Sequence, residues 1–389
     1  MNNLNIKGIG QLVFGLSLVL FLTNCTNIDQ TIVTEVDENG QVVEAADAWI
    51  CEMKSFSEDR WRYELYMQDN GDYVAVSDAR ILRVSKDGLL NSNREIGLDD
   101  DDREVYKIYN EKIYRFYYDN DFQDFDPEKK IKLQIYDLAF NLLSDVVLDS
   151  NGLIYDVEIE NENQFGFLIY NPNQSQMKLK KIHLDNGLVA EVVLSTSGTK
   201  PRDLHISESG EYYCTDSSNQ TNLYYFDDDL NLRWEQRFGD YVISDAKLIE
   251  GRGFYITGSI AEFGSEEFFV ALVDFNGDLT NSVIFDGGDR WSPKMQINDE
   301  KICLMQSEPE SSKNLLLTIL DLDFNIESKI DIPGNIVQSK MIINDNNSFS
   351  FVYGIAFDDL IPDFFPEEYF TRIFKFDRTY TLPTHIIEQ

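Results

Sequence analysis

Leu320-Asp321-Leu322-Asp323-Phe324-Asn325-Ile326 decides the fold. An apolar residue and an Asp close one β-type run, a tight corner follows, and a branched apolar residue opens the next run. The same frame recurs as Tyr136-Asp137-Leu138-Ala139-Phe140-Asn141-Leu142 and Phe226-Asp227-Asp228-Asp229-Leu230-Asn231-Leu232. Val273 to Leu279 and Phe376 to Leu382 keep the frame, Leu184 to Leu188 shortens it, and Val84 to Leu90 puts Ser85 at the Asp position. The seven anchors stand at 85, 137, 185, 227, 274, 321 and 377, a mean spacing of about 49 residues. Between them, Val, Ile, Tyr, Phe and Leu alternate with polar residues, and Asn, Asp and Gly mark the gaps. No stretch of 12 or more residues carries a 3.6-residue apolar period, which excludes most α and α/β architectures.

A repeat of this length with four strands per unit signals propeller blades. In the fourth unit the strands fall near Asp203–Ile206, Glu211–Cys214, Leu223–Phe226 and Leu232–Phe238. In the fifth they fall near Ala246–Ile249, Gly253–Gly258, Phe268–Asp274 and Thr280–Phe285. The expected fold is therefore an all-β, seven-bladed β-propeller over residues 60–389, or six or eight blades if a weak corner such as Val84 to Leu90 is miscounted. A blade has two apolar faces and buries both only by packing in a ring. The corner Asp has a local task, since its carboxylate can accept N–H groups of its own turn. Gly253 to Gly258 followed by Asp274-Phe275-Asn276-Gly277 and Phe285-Asp286-Gly287-Gly288 resembles the secreted bacterial β-propeller repeat, and this fifth unit alone matches well. Asp274-Phe275-Asn276-Gly277-Asp278 also resembles a calcium loop, although the same corner recurs in blades lacking the extra acids.

The N-terminus carries an address. Lys7 is the only charge before residue 25, and an eleven-residue apolar run, Leu12 to Leu22, suits a signal segment and is too short to span a bilayer. Leu22-Thr23-Asn24-Cys25 resembles the lipobox of a bacterial lipoprotein signal, with Asn24 where that family prefers Gly, Ala or Ser. The resemblance implies a signal peptide over residues 1–24, acylation of Cys25, and a polar tether over residues 25–59. Several acyl chains anchor firmly where one is marginal. The expected place is the cell envelope of a bacterium, at the outer membrane, with the side open.

The chain has 389 residues, 33 Lys and Arg against 69 Asp and Glu, and a formal charge of −36. So acidic a chain argues against nucleic acid and anionic lipid surfaces as partners. With 43% hydrophobic residues it is too apolar for a disordered acidic chain. Cys51, Cys214 and Cys303 follow Cys25, an odd number, and Cys214 and Cys303 in strand-like runs are expected as buried thiols.

Function is sought in the loops between second and third strands and between blades, which share one face. Two are long: Tyr118 to Glu128, with Phe122 and Phe125, and Phe357 to Tyr369, with Phe364 and Phe365. The acidic run Asp99-Asp100-Asp101-Asp102 belongs to that face, and Trp291 lies on another loop there. In a closed ring, blades seven, one and two are neighbours, so these loops would form one acidic, aromatic sector. It reads either as a ligand-binding surface or as aromatics covering the blades beneath solubilising acids. No cofactor is expected; Ca2+ is the one ion the acids Asp99 to Asp102 would suit. Trp234 is expected in a strand core. No nucleophile elbow, zinc-protease helix, Walker loop or Rossmann glycine pattern occurs. The sialidase-type box is absent, Ser207-Glu208-Ser209-Gly210 being a poor match, and four Trp cannot supply a quinone-docking Trp to each blade. The balance favours a non-catalytic binding protein for a protein or glycan partner. The alternative is a glycan-active enzyme using a carboxylate pair.

Overall fold

The computed structural model describes residues 49–55 and most of 64–375. The described residues form 28 strands in seven four-stranded sheets. The first strand, β1 (Trp49–Ser55), precedes the first blade in sequence. The first blade is β2 (Glu64–Met67), β3 (Tyr73–Val76), β4 (Arg80–Val84) and β5 (Leu90–Glu95). The second is β6 (Arg103–Tyr109), β7 (Lys112–Tyr118), β8 (Lys132–Asp137) and β9 (Leu142–Val147). The third is β10 (Leu153–Asn161), β11 (Gln164–Asn171), β12 (Gln176–His183) and β13 (Gly187–Ser195). The fourth is β14 (Pro201–Ile206), β15 (Tyr212–Asp216), β16 (Asn222–Phe226) and β17 (Leu232–Arg237). The fifth is β18 (Tyr241–Ile249), β19 (Gly253–Ile260), β20 (Glu267–Val273) and β21 (Leu279–Asp286). The sixth is β22 (Lys294–Ile297), β23 (Lys301–Ser307), β24 (Asn314–Asp321) and β25 (Ile326–Pro333). The seventh contains β26 (Asn335–Ile343), β27 (Phe349–Phe357) and β28 (Glu368–Lys375). Among the described residues no helix is long and apolar enough to cross a membrane.

The seventh blade takes its outermost strand from the other end of the chain. β1 pairs antiparallel with β28 from Trp49 opposite Lys375 to Ser55 opposite Tyr369. This corrects the tether boundary: Trp49–Ser55, placed in the tether by sequence, is part of the propeller. The reason is topological, since a ring built from sequential sheets closes on itself when one blade is shared by both ends. The seventh corner, Phe376 to Leu382, expected to lead into a fourth strand opening at Leu382, lies outside the described residues.

Burial grades outward across each blade. The second strands are apolar on both faces, as in Tyr73-Val74-Ala75-Val76, because each is covered by a blade on either side. The outermost strands are wet, as in β9 and β17, where most positions are exposed. The core accordingly lies between blades. Phe116 of the second blade meets Phe165 and Phe167 of the third edge-on, at 5.3 Å each. Cys214 and Cys303 are buried, and burial pushes the Cys303 thiol up to about 12.

Six corners fall between third and fourth strands, where the repeat placed them. Three share one construction. Asp137, Asp227 and Asp321 each accept the N–H of the Asn four residues on through Oδ1, at 2.8 Å, and its side-chain amide through Oδ2. Hydrogen bonds with Asn141, Asn231 and Asn325 hold these carboxyls below the usual value. The residue before each Asn is left-handed: Phe140 (φ 61°), Leu230 (φ 61°) and Phe324 (φ 71°). In the fifth blade Asp274 bonds the N–H groups of Asn276 and Asp278 and the Asn276 amide, so both its oxygens serve its own turn. Where Ser85 replaces the Asp, Asp72 of the neighbouring turn accepts the Lys86 N–H.

Candidate functional site

All seven innermost strands bring a charged side chain to the propeller axis. Lys107 Nζ on β6 lies 3.0 Å from Glu158 and 3.2 Å from Asp156 on β10, and 3.5 Å from Glu64 on β2. Lys340 on β26 reaches the other oxygen of Glu64 at 3.1 Å. Lys294 on β22 donates to Asp203 on β14 at 2.9 Å and to the Ser244 carbonyl on β18 at 3.0 Å, bridging three blades. On β18, Lys247 stands 3.4 Å from Asp245.

Two of these acids also join blades. Asp156 and Asp245 sit at bulges in their strands, which re-aim the side chain sideways. Asp156 accepts the Leu204 N–H of the next blade at 2.8 Å, and Asp245 accepts the Met295 N–H of the next at 2.9 Å. Each also takes the N–H of the residue that follows it.

The electrostatics follow from burial and partners. Burial works against the Lys107 ammonium, yet Asp156, Glu158 and Glu64 hold its pKa well above the usual value. Burial pushes Glu158 up, against Lys107 and with Asp156. Burial also opposes ionised Glu64, but Lys340 and Lys107 pull it below the usual value. For Asp203, burial is overcome by Lys294, and the net shift is downward.

His205 is the exception. Its Nε2 is buried without a hydrogen-bond partner, 3.7 Å from Asp245. Burial and then Lys247 hold it well below the ordinary imidazole value, outweighing Asp203. The folded protein thus carries a neutral ring where the unfolded chain titrates near 6.5. Stability from this group is full above about pH 6.5 and falls as pH drops below it, because the unfolded chain then binds the proton more readily. Thermal melts at pH 7.5 and 5.5 should show a larger acid loss in wild type than in His205→Gln; equal losses would contradict this.

Most expected site residues lie outside the described residues: Cys25, Asp99, Asp100, Asp101, Asp102, Phe122, Phe125, Trp291, Phe364 and Phe365. Tyr369, expected on a loop, stands in β28, paired with Ala356 and Ser55. Blades seven, one and two are neighbours, as β26 meets β2 and β2 meets β6. Among the described residues no cluster of His, Cys, Asp and Glu stands in metal-ligand geometry. Sequence reasoning missed the axial charges. Their signal was an acid-apolar-polar-apolar quartet on successive inner strands: Asp156-Val157-Glu158-Ile159, Asp203-Leu204-His205-Ile206 and Asp245-Ala246-Lys247-Leu248. Trp234 differs from expectation too. It is half-buried on the outermost strand and donates its indole N–H to the Phe275 carbonyl of the fifth blade at 2.9 Å.

No family model matches the chain, and no curated protein does. Among solved structures, the chain is similar to a protein of unknown function from Bacteroides caccae, at 12% identity and TM-score 0.39, over 57% of this chain and 78% of that one. It is also similar to a eukaryotic initiation factor, at 9% identity and TM-score 0.45, over 82% and 91%.

Proposed function

We propose that the chain is a lipid-anchored protein of the bacterial cell envelope, held at the outer membrane through Cys25, whose propeller is a non-catalytic binding module for a protein or glycan partner. The observation that carries this is how the axial acids are employed. Glu64, Asp156, Glu158, Asp203 and Asp245 are each engaged by a lysine, and two of them also by a neighbouring blade's backbone. A hydrolytic pair needs one acid free to give a proton and another free to face substrate. Acids spent this way stiffen a platform instead. A β-propeller body supports a binding role of this general kind, while fold alone never fixes a ligand. The anchor is carried by Leu22-Thr23-Asn24-Cys25 and the apolar run before it.

The test is acylation and retention in a diderm host. The wild-type chain should incorporate labelled palmitate and sediment with membranes, and Cys25→Ser should do neither. Unchanged labelling in the variant would overturn the anchor. For the partner, Phe364→Ala with Phe365→Ala should abolish ligand retention with little change in melting temperature. A large fall in melting temperature would show that both rings are core.

A further inference from the structure

One face of the propeller carries a cleft at the corner of the fifth blade. The turn between first and second strands shares this face with the corner between third and fourth, since successive strands run antiparallel. In three blades the left-handed corner position holds a bulky side chain that packs inward, Phe140, Leu230 or Phe324. In the fifth blade it is Gly277, at φ 88°. With no side chain there, Trp234 of the fourth blade moves onto the glycine. A Cβ on Gly277 would stand 3.2 Å from the indole. Phe275, two residues earlier, is 41% exposed. The result is a cleft of about 370 Å3 lined by Glu211, Tyr225, Arg233, Trp234, Phe275 and Asn276.

Its walls are set before any ligand arrives. Tyr225 and Trp234 pack at 5.5 Å, and both lean on Phe254, which Phe275 meets edge-on at 6.2 Å. The indole is oriented by its bond to the Phe275 carbonyl. Glu211 is held by Ser209 at 3.2 Å and by the Tyr225 hydroxyl. Arg233 stands 3.8 Å from Asp227, with its side chain 55% exposed. One rim thus offers a carboxylate acceptor, a guanidinium donor and an amide able to do either.

We propose that this cleft binds one neutral pyranose sugar residue. A pyranose presents an apolar C–H face to an aromatic wall and a girdle of hydroxyls that both give and accept hydrogen bonds. The rim supplies both kinds of partner on charged groups, where such bonds are strongest. Glu211 and Arg233 oppose one another, so the cleft favours neither cation nor anion, and a chain of charge −36 repels anions at long range. The volume lies at the small end of ordinary ligand sites, which suits one or two rings. This goes beyond the binding-module reading, since none of the cleft residues belongs to the Phe364 and Phe365 sector, and failed acylation at Cys25 or loss of retention through Phe364 and Phe365 would each leave it standing.

The test is calorimetric titration of the full-length chain with glucose, galactose, mannose and N-acetylglucosamine, each to about 20 mM. At least one should bind saturably. Phe275→Ala and Glu211→Gln should each weaken it about tenfold or more, with the melting temperature nearly unchanged. Phe275 is exposed and Glu211→Gln is isosteric, so neither change threatens folding. Absence of saturable binding by all four sugars would overturn the proposal. So would binding that survives both substitutions.

Discussion

A chain beginning at residue 57 should lose cooperative folding or melt about 10 °C or more below a chain beginning at residue 48. The two differ by little more than Trp49–Ser55, the strand that completes the seventh blade. Its seven residues pair continuously with β28. Without them β28 becomes a bare edge of unpaired N–H and C=O groups beside the ring closure. The seventh blade would keep three of its four strands. It would hold the first and sixth blades through β26, which touches both β2 and β22, and through β27. The remaining contact is not trivial, since Val352 of β27 packs with Leu65, Tyr73 and Leu82 of the first blade. The expectation is therefore a loosened ring rather than a random chain. Calorimetry on the two chains decides the matter. Equal midpoints would mean that β1 contributes nothing to closure.

That strand also marks where sequence stopped being legible. The corners could be read because three of them repeat a local device, an Asp, a left-handed residue and an Asn within five positions, and the others vary it. Local hydrogen bonding leaves a local pattern, and six of the seven corners stand where the pattern put them. β1 had no such mark. Its partner lies more than 300 residues away, and nothing in Trp49-Ile50-Cys51-Glu52 names Phe374 or Lys375 as its neighbour. The axial charges failed for a related reason. Lys294 looks like any strand lysine until the ring brings Asp203 from two blades back. The aromatic cleft was hidden because Gly277 looked like an ordinary turn glycine. Its consequence appears only beside Trp234, on a different blade. The sequence pointed to the loops between second and third strands, and so away from the turn carrying Glu211.

Lys107→Met should destabilise the propeller by about 3–5 kcal/mol at neutral pH, the cost of stranding buried charge by removing its partner. The Lys107 side chain is 10% exposed and serves three carboxylates from two blades, Glu64, Asp156 and Glu158. Methionine fills similar volume, so loss of charge balance dominates over loss of packing. Asp156 retains its N–H donors from Val157 and Leu204, and Glu64 retains Lys340. Glu158 is the acid left worst off, since burial and Asp156 already push it up and Lys107 is the main force opposing them. In the variant its folded pKa rises further above the unfolded value. A raised carboxyl is favoured in the fold when protonated, so the penalty should be largest at pH 7 and shrink as pH falls toward 5. Lys107→Met combined with Glu158→Gln should recover part of the loss, because the pair is then removed together. Lys340→Met provides the contrast: that side chain is 39% exposed and pairs with Glu64, so its cost should be about 1 kcal/mol. Denaturant titrations at pH 7 and 5 test all of this. A loss for Lys107→Met as small as that for Lys340→Met, or one independent of pH, would show that water already screens the axis and that the ring of charges is not what ties the first three blades together.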